Sequence, residues 1–145
     1  MDDFLKELQE TFLLESQDLL LTVESLFLKL EKNSSDFEVF VELSRLAHNF
    51  KGSGKAVGFD HISIFSHQLE NLLLACKKQE LVATPLIINL LFRSVDALKN
   101  DIENLRTGGA SKDYSGLLSE ITSALKKEKP LKTQIMNVIQ PHAEV

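Results

Sequence analysis

The sequence has a single cysteine, no long apolar run and no excess of basic residues. Because Cys76 has no partner in the chain, a disulfide framework is excluded, which suits a reducing cytoplasm. We expect no membrane span, which needs roughly 20 apolar residues, and no signal peptide after the Met-Asp-Asp start. The net charge of −5 argues against a nucleic-acid binder, which would carry a basic face. We therefore expect a cytoplasmic protein with neither a membrane nor a nucleic-acid partner.

Apolar residues recur at helical spacing along most of the chain. The pattern predicts four long helices and a shorter fifth, at residues 2–31, 36–57, 60–78, 85–106 and 114–128. In the turn Asn33-Ser34-Ser35-Asp36, the serines or the aspartate can cap the second helix, and Asp60 is a suitable N-cap for the third. Thr84-Pro85 is typical of a helix start. Short loops between long amphipathic helices predict an all-α, up-down-up-down four-helix bundle with an additional C-terminal helix.

The length and composition agree with one domain. The chain has 145 residues, of which 43% are hydrophobic, so a packed core is possible. We assign residues 1–129 to this domain and residues 130–145 to a weakly ordered tail or the start of a linker. Because the bundle uses nearly all of these 145 residues and they contain no Gly-rich nucleotide loop, we do not expect them to act as an autonomous kinase. They could be a free-standing protein or the N-terminal part of a histidine kinase.

His48 is the candidate functional residue. Taking about 100° of rotation per residue, His48 lies far from the apolar stripe of the second helix and therefore on the solvent-exposed face. Gly58 favours a tight turn into the third helix. In the resulting antiparallel hairpin, the uniform rise of a helix sets Glu70 opposite His48 and His67 opposite Lys51.

These four side chains suit a nucleophilic histidine. A carboxylate bonded to one ring nitrogen fixes the tautomer and leaves the lone pair of the other, a task for Glu70. Lys51 supplies positive charge beside a phosphoryl group on that free nitrogen. Gly52 and Gly54 would remove bulk beside the ring, at a helix-interior cost of about 0.5–1 kcal/mol each relative to alanine. We infer that a partner must approach closely there.

The hairpin residues resemble a known family. The sequence is similar to histidine-containing phosphotransfer (HPt) domains, most of all to the N-terminal phosphoacceptor domain of CheA-type chemotaxis histidine kinases, over roughly residues 2–129. The residues that carry the resemblance are His48-x-x-Lys51-Gly52, then Gly58-Phe59, then His67-x-x-Glu70-Asn71-Leu72-Leu73.

The resemblance implies a role in a two-component phosphorelay. His48 would be the phosphoacceptor, Glu70 would orient its imidazole, and Lys51 and His67 would complete the network. A histidine kinase ATP-binding domain would phosphorylate His48, and a response-regulator receiver would take the group onto its own aspartate. ATP and Mg²⁺ would belong to those partners, so we expect no cofactor in this domain. The domain would then be a relay and not an enzyme, and we expect it to be a monomer in isolation.

Two other functions compete with this interpretation. A metal-binding bundle could use His48, His67 and Glu70, although di-iron bundles carry Glu-x-x-His twice and facing inward. A plain helical interaction module would not depend on His48 at all. His67 could also be a structural partner or simply solvated. His61 and His142 are expected to be solvent-exposed bystanders.

Leu74 breaks the apolar pattern of the third helix. It lies about 150° from the centre of the stripe, on the face of His67 and Glu70, so we expect it to be exposed. With Gly52 and Gly54 it would form a docking surface for the partner. The alternative is that it packs under the fifth helix or the C-terminal residues.

Overall fold

The structure is a computed structural model and describes residues 2–126. The helices are α1 (Asp3–Lys32), α2 (Phe37–Ala56), α3 (Asp60–Lys77) and α4 (Pro85–Arg106), followed by α5, whose described part covers residues 115–126. No strand occurs in this range, and the predicted all-α fold with an additional helix is confirmed. The predicted domain boundary after residue 129, the tail and His142 lie outside the described residues.

Side-chain caps explain where three of the helices begin. Asp2, Asp36 and Thr84 precede α1, α2 and α4, and each side-chain oxygen accepts a main-chain N–H two or three residues further on, at 3.0–3.3 Å. Each cap satisfies one of the N–H groups that a helix leaves unpaired at its start. Pro85 follows Thr84 at the first helical positions, as its fixed φ favours.

The turn between α2 and α3 differs from the prediction at one residue. Gly58 adopts a φ of +87°, which its missing side chain permits. However, Phe59 and not Asp60 is the N-cap of α3, and it makes no side-chain capping bond. Its ring lies 5.7 Å from that of Phe12 in α1. Apolar packing therefore fixes this helix start, and Asp60 becomes the first helical residue, where its charge complements the helix dipole.

The helices pack in sequence order around one core. α2 lies against α3 along most of its length, while α1 contacts both α2 and α4. The side-chain amide of Gln9 also ties α1 to the hairpin, because it donates to the main-chain oxygen of Val57 at 2.7 Å. In the described part of the chain, no helix has the length and hydrophobicity to cross a lipid bilayer. Each of the five helices contributes large apolar side chains that are almost fully buried, and these are Leu30, Phe40, Ile62, Phe65, Leu72, Leu91, Ile102 and Ile121.

α5 closes one side of the bundle over α3 and α4. The ring of Tyr114, just before the helix, stacks on that of Phe65 in α3 with centroids 4.2 Å apart. Ile121 is fully buried. On the surface, Arg93 of α4 makes a two-pronged ion pair with Glu120 at 2.8 Å. α5 is therefore attached by both apolar packing and charge.

Candidate functional site

His48 projects from the middle of α2 on the face turned away from the core. Its side chain is 63% exposed, and its Nδ1 lies 2.8 Å from Oε2 of Glu70 on α3. An ionised carboxylate can only accept hydrogen bonds, so Nδ1 carries the proton in the neutral ring. Nε2 therefore keeps its lone pair. The expected pairing of His48 with Glu70 is present.

Glu70 is the group that joins the site together. Its second oxygen, Oε1, accepts a hydrogen bond from Nζ of Lys51 at 2.9 Å, and its side chain is only 11% exposed. Burial by itself raises the pKa of the Glu70 carboxyl. The hydrogen bonds from Lys51 and His48 outweigh that effect, and the pKa lies below its ordinary value. The carboxylate is thus ionised at neutral pH and can hold the ring.

His67 does not pair with Lys51 as the register predicted. The lysine bonds to Glu70, because the opposite charge of a nearly buried carboxylate attracts the ammonium more strongly than an exposed imidazole does. His67 is exposed and borders an open cleft of about 580 Å³ next to Lys51 and Gly52. It lies near the network without being bonded to it among the described residues.

The arrangement can perform nucleophilic chemistry at one ring nitrogen. It supplies a fixed tautomer, a neighbouring ammonium and an exposed approach. In residues 2–126, no three His, Cys, Asp or Glu side chains come close enough together to hold a metal ion. The geometry therefore gives no support to the metal-binding alternative.

Comparison with known proteins decides the family. A family model described as "Hpt domain" matches residues 7–108, which is more than half of the chain. The chain belongs to the Hpt domain family. The suspected resemblance is confirmed, and with it the assignment as a histidine phosphotransfer domain of two-component signalling. Hpt domains are phosphotransfer substrates and do not themselves catalyse the reaction.

The Hpt domain also has relatives among chemotaxis kinases. It is 29% identical to "Sensor histidine kinase CheAY" of Helicobacter pylori, over 92% of this chain and 16% of that protein. It is 31% identical to "Chemotaxis protein CheA" of Klebsiella aerogenes over 68% of the chain, and 28% identical to that of Bacillus subtilis over 80%. The Klebsiella and Bacillus matches cover 15% and 17% of those proteins. The chain thus spans less than a fifth of these relatives.

One of the two glycines in the predicted docking surface faces the wrong way. Gly52 is exposed, and a Cβ built on it would have no neighbour within 4 Å. Gly54 is buried against α3, where a Cβ would meet Cγ2 of Ile62 at 3.4 Å. At about 100° per residue, Gly52 lies about 40° from His48 around the helix and Gly54 about 120°. Gly54 therefore permits close packing of two helices and does not border His48.

Leu74 is half-buried, whereas we expected it to be exposed. It lines a cleft of about 330 Å³ together with Leu125 of α5. The fifth helix shields this part of α3, which the angle of Leu74 around its own helix could not reveal. The alternative that Leu74 packs near the fifth helix fits the Hpt domain better than an open docking anchor.

His61 is not a bystander. Its Nε2 lies 3.0 Å from Oδ2 of Asp101, a carboxylate whose side chain is completely buried. The hydroxyl of Tyr114 donates to the same oxygen at 2.7 Å, and the main-chain N–H of Lys112 donates to Oδ1 at 2.9 Å. These residues attach the segment before α5 to the bundle. No role for Asp101 was predicted from the sequence, although a carboxylate on the apolar side of α4 was the available signal.

Ser63 is a second residue whose role was not predicted from the sequence. Its hydroxyl donates to the main-chain oxygen of Lys51 at 2.8 Å, across the interface between α3 and α2. The available signal was its spacing, since Ser63 and Glu70 lie two helical turns apart on one face of α3.

Proposed function

We propose that His48 accepts a phosphoryl group from the ATP-binding domain of a histidine kinase and passes it to an aspartate of a response-regulator receiver. The observation that supports this most directly is the 2.8 Å contact between Nδ1 of His48 and Glu70. It leaves Nε2 as the nucleophile on an exposed ring.

The proposed steps balance in bonds and charge. The lone pair of Nε2 attacks the γ-phosphorus of ATP, an N–P bond forms, and the electron pair of the broken P–O bond leaves with ADP. The ring then carries positive charge, which the Glu70 carboxylate stabilises through the retained Nδ1 proton. In the second step the receiver's carboxylate attacks phosphorus, and the electron pair of the N–P bond returns to Nε2.

Lys51 has an electrostatic task in both steps. Its ammonium bonds Glu70, the residue that holds the acceptor ring, and it lies one helical turn from His48. A positive charge at that distance lowers the energy of the dianionic phosphoryl group. His67, at the edge of the adjacent cleft, would contribute to the same field more weakly because it is exposed.

The relatives suggest where this transfer takes place. They are named as chemotaxis kinases, and we propose that the chain acts as the phosphoacceptor domain of such a pathway in the cytoplasm. The kinase domain would bring ATP, Mg²⁺ would be held by the partner domains, and the isolated Hpt domain would act as a monomer without a cofactor of its own.

Substitution of His48 tests the proposal. The chain is incubated with radiolabelled ATP and a panel of kinase ATP-binding domains, and the label is tested for the acid lability of a phosphoramidate. We expect His48→Gln to abolish labelling while leaving the melting temperature nearly unchanged, because an exposed side chain contributes little to stability. His67→Gln replaces a second exposed histidine of the same site and should keep the label at a somewhat lower rate, because His67 does not carry the acceptor nitrogen. Labelled His48→Gln protein would refute the assignment, and an interaction module predicts no difference between the variants.

A further inference from the structure

Ser63 differs from other buried serines of the described chain in where its hydroxyl donates. Ser16, Ser44 and Ser94 each donate to a carbonyl of their own helix, at 2.6–2.9 Å. This is the usual local bond of a serine inside a helix. Ser63 donates instead to the main-chain oxygen of Lys51 on the neighbouring helix. Its hydrogen bond therefore fixes α2 against α3 at residue 51.

Close approach of the two helices makes this bond possible. A Cβ on Gly54 would lie 3.6 Å from the main-chain nitrogen of Ser63, so any side chain larger than a methyl would push α3 away. Ser63 is only 7% exposed, although it lies along the open cleft that Lys51 and Gly52 also line. Its hydrogen bond of 2.8 Å has the ordinary length for a hydroxyl donor.

Lys51 is thus attached to α3 at both of its ends. Its main-chain oxygen accepts from Ser63, and its ammonium donates to Glu70. We propose that Ser63 is a positioning residue of the phosphoacceptor site, holding the main chain of Lys51 so that its ammonium stays on the carboxylate that orients His48. This inference rests on the proposed function.

The physical reason is the flexibility of the lysine side chain. An ammonium on a four-carbon stem is a poorly fixed point charge unless its Cα is held. When the ammonium leaves Oε1, the Glu70 carboxylate can rotate, and its bond to Nδ1 of His48 loosens. Ser63 would therefore act on the reaction through two other residues without touching the phosphoryl group itself.

Steady-state kinetics can separate this role from a contact with the partner. The isolated ATP-binding domain of the kinase serves as the enzyme and the chain as its substrate. We expect Ser63→Ala to lower kcat roughly three- to tenfold, the effect of losing one buried hydrogen bond. KM should change by less than about twofold, because Ser63 is only 7% exposed and its hydroxyl is bound to the main chain of Lys51, which leaves little of it for a partner to contact.

Two further variants make the test specific. Ser66→Ala removes the same atom from the same helix, but the hydroxyl of Ser66 has no partner in the described residues, so kcat should stay at the wild-type value. Lys51→Met keeps the stem and removes the ammonium. In that background Ser63→Ala should have no further effect on kcat, because nothing is left for Ser63 to position.

The outcomes distinguish this inference from the proposed function. If the wild-type chain is not phosphorylated at all, the proposed function fails. If the wild-type chain is phosphorylated and Ser63→Ala has the same kcat, the positioning role is refuted. It is also refuted if Ser66→Ala lowers kcat as much as Ser63→Ala does, or if Ser63→Ala lowers kcat by the same factor in the Lys51→Met background. Should circular dichroism show that Ser63→Ala is unfolded, Ser63→Cys replaces it, since a thiol of similar shape is only a weak donor, and the same loss of kcat is required.

Discussion

At the residue scale, Glu70 determines how the site depends on pH. Its carboxylate is nearly buried, and its two oxygens are divided between His48 and Lys51. Burial opposes its ionisation, but the hydrogen bonds from Lys51 and His48 outweigh burial, so the pKa of Glu70 lies below the ordinary value of 4.5. A carboxyl whose pKa is lower in the folded state stabilises the fold above its unfolded pKa, and this contribution is lost as the pH falls through the folded value.

Removing this charge should therefore change stability in a pH-dependent way. We expect Glu70→Gln to lower the free energy of unfolding by about 1–2 kcal/mol at pH 7, because two charge-assisted hydrogen bonds are lost to partners that are partly exposed. The difference from wild type should shrink as the pH falls below about 4.5 and through the lower pKa of the folded state. Urea unfolding of both proteins at a series of pH values measures this difference in the free energy of unfolding.

Glu15→Gln is the control for that series. Glu15 is an exposed glutamate of α1, and its substitution should leave the free energy of unfolding nearly unchanged at every pH. Other carboxyl groups titrate equally in both proteins and cancel in the difference. A gap between Glu70→Gln and wild type that stays constant down to strongly acidic pH would contradict an ionised, bonded Glu70.

At the scale of the elements, helix periodicity and capping residues predicted the helices well, whereas the angle of a side chain around its own helix was a poorer guide to its contacts. The turn that ends at Asp36 and the pair Thr84-Pro85 marked the starts of α2 and α4 correctly, although only the structure selects Asp36 over the serines as the cap. The uniform rise of two antiparallel helices placed His48 beside Glu70. These features depend on local chemistry and on a regular geometry, which the sequence contains.

Other contacts of the elements were beyond the sequence. The hydrogen bond of Ser63 and the burial of Gly54 depend on how closely α3 approaches α2, and helical periodicity does not specify that distance. His61 was assigned to solvent because its partner, Asp101, lies on another helix. Leu74 was expected to be exposed because the position of α5 could not be inferred from α3.

Gly52 lowers the stability of α2 but leaves space for a partner beside the ring of His48. It lies inside the helix, exposed, one turn from His48, and its Cβ position is open. We expect Gly52→Ala to raise the free energy of unfolding by about 0.5–1 kcal/mol, because alanine is the better helix former. Phosphotransfer should nevertheless slow, because the methyl group stands where the partner must approach. Thermal melting and the labelling rate, measured on the same sample, check both effects.

The control is the exposed Gly116 of α5, whose Cβ position is also open. Gly116→Ala should not slow phosphotransfer, because it lies on a helix that does not contribute to the site. If Gly52→Ala transfers at the wild-type rate, the space beside His48 has no role in docking.

At the scale of the whole molecule, the site and the C-terminal attachment are separate. Within residues 2–126 the site is made by α2 and α3, while His61, Asp101 and Tyr114 attach the segment leading to α5. Along α3, His61 and Glu70 are nine residues apart, or about 13 Å at the rise of a helix. Burial and the hydrogen bond to Asp101 raise the pKa of Tyr114, so its hydroxyl remains a donor at all ordinary pH values.

This separation predicts a variant that loses stability but keeps function. Tyr114→Phe preserves the ring that stacks on Phe65 and removes only the hydroxyl that donates to the fully buried carboxylate of Asp101. We expect the free energy of unfolding to fall by about 1–3 kcal/mol, because a buried charged acceptor loses one of its partners. The phosphorylation rate of the folded protein should not change.

Arg93→Gln is the control. It breaks the exposed ion pair to Glu120 and should lower the free energy of unfolding much less than Tyr114→Phe does. A wild-type melting temperature for Tyr114→Phe would show that the Asp101 cluster does not hold the C-terminal segment, and slowed phosphorylation would show that the two regions are coupled.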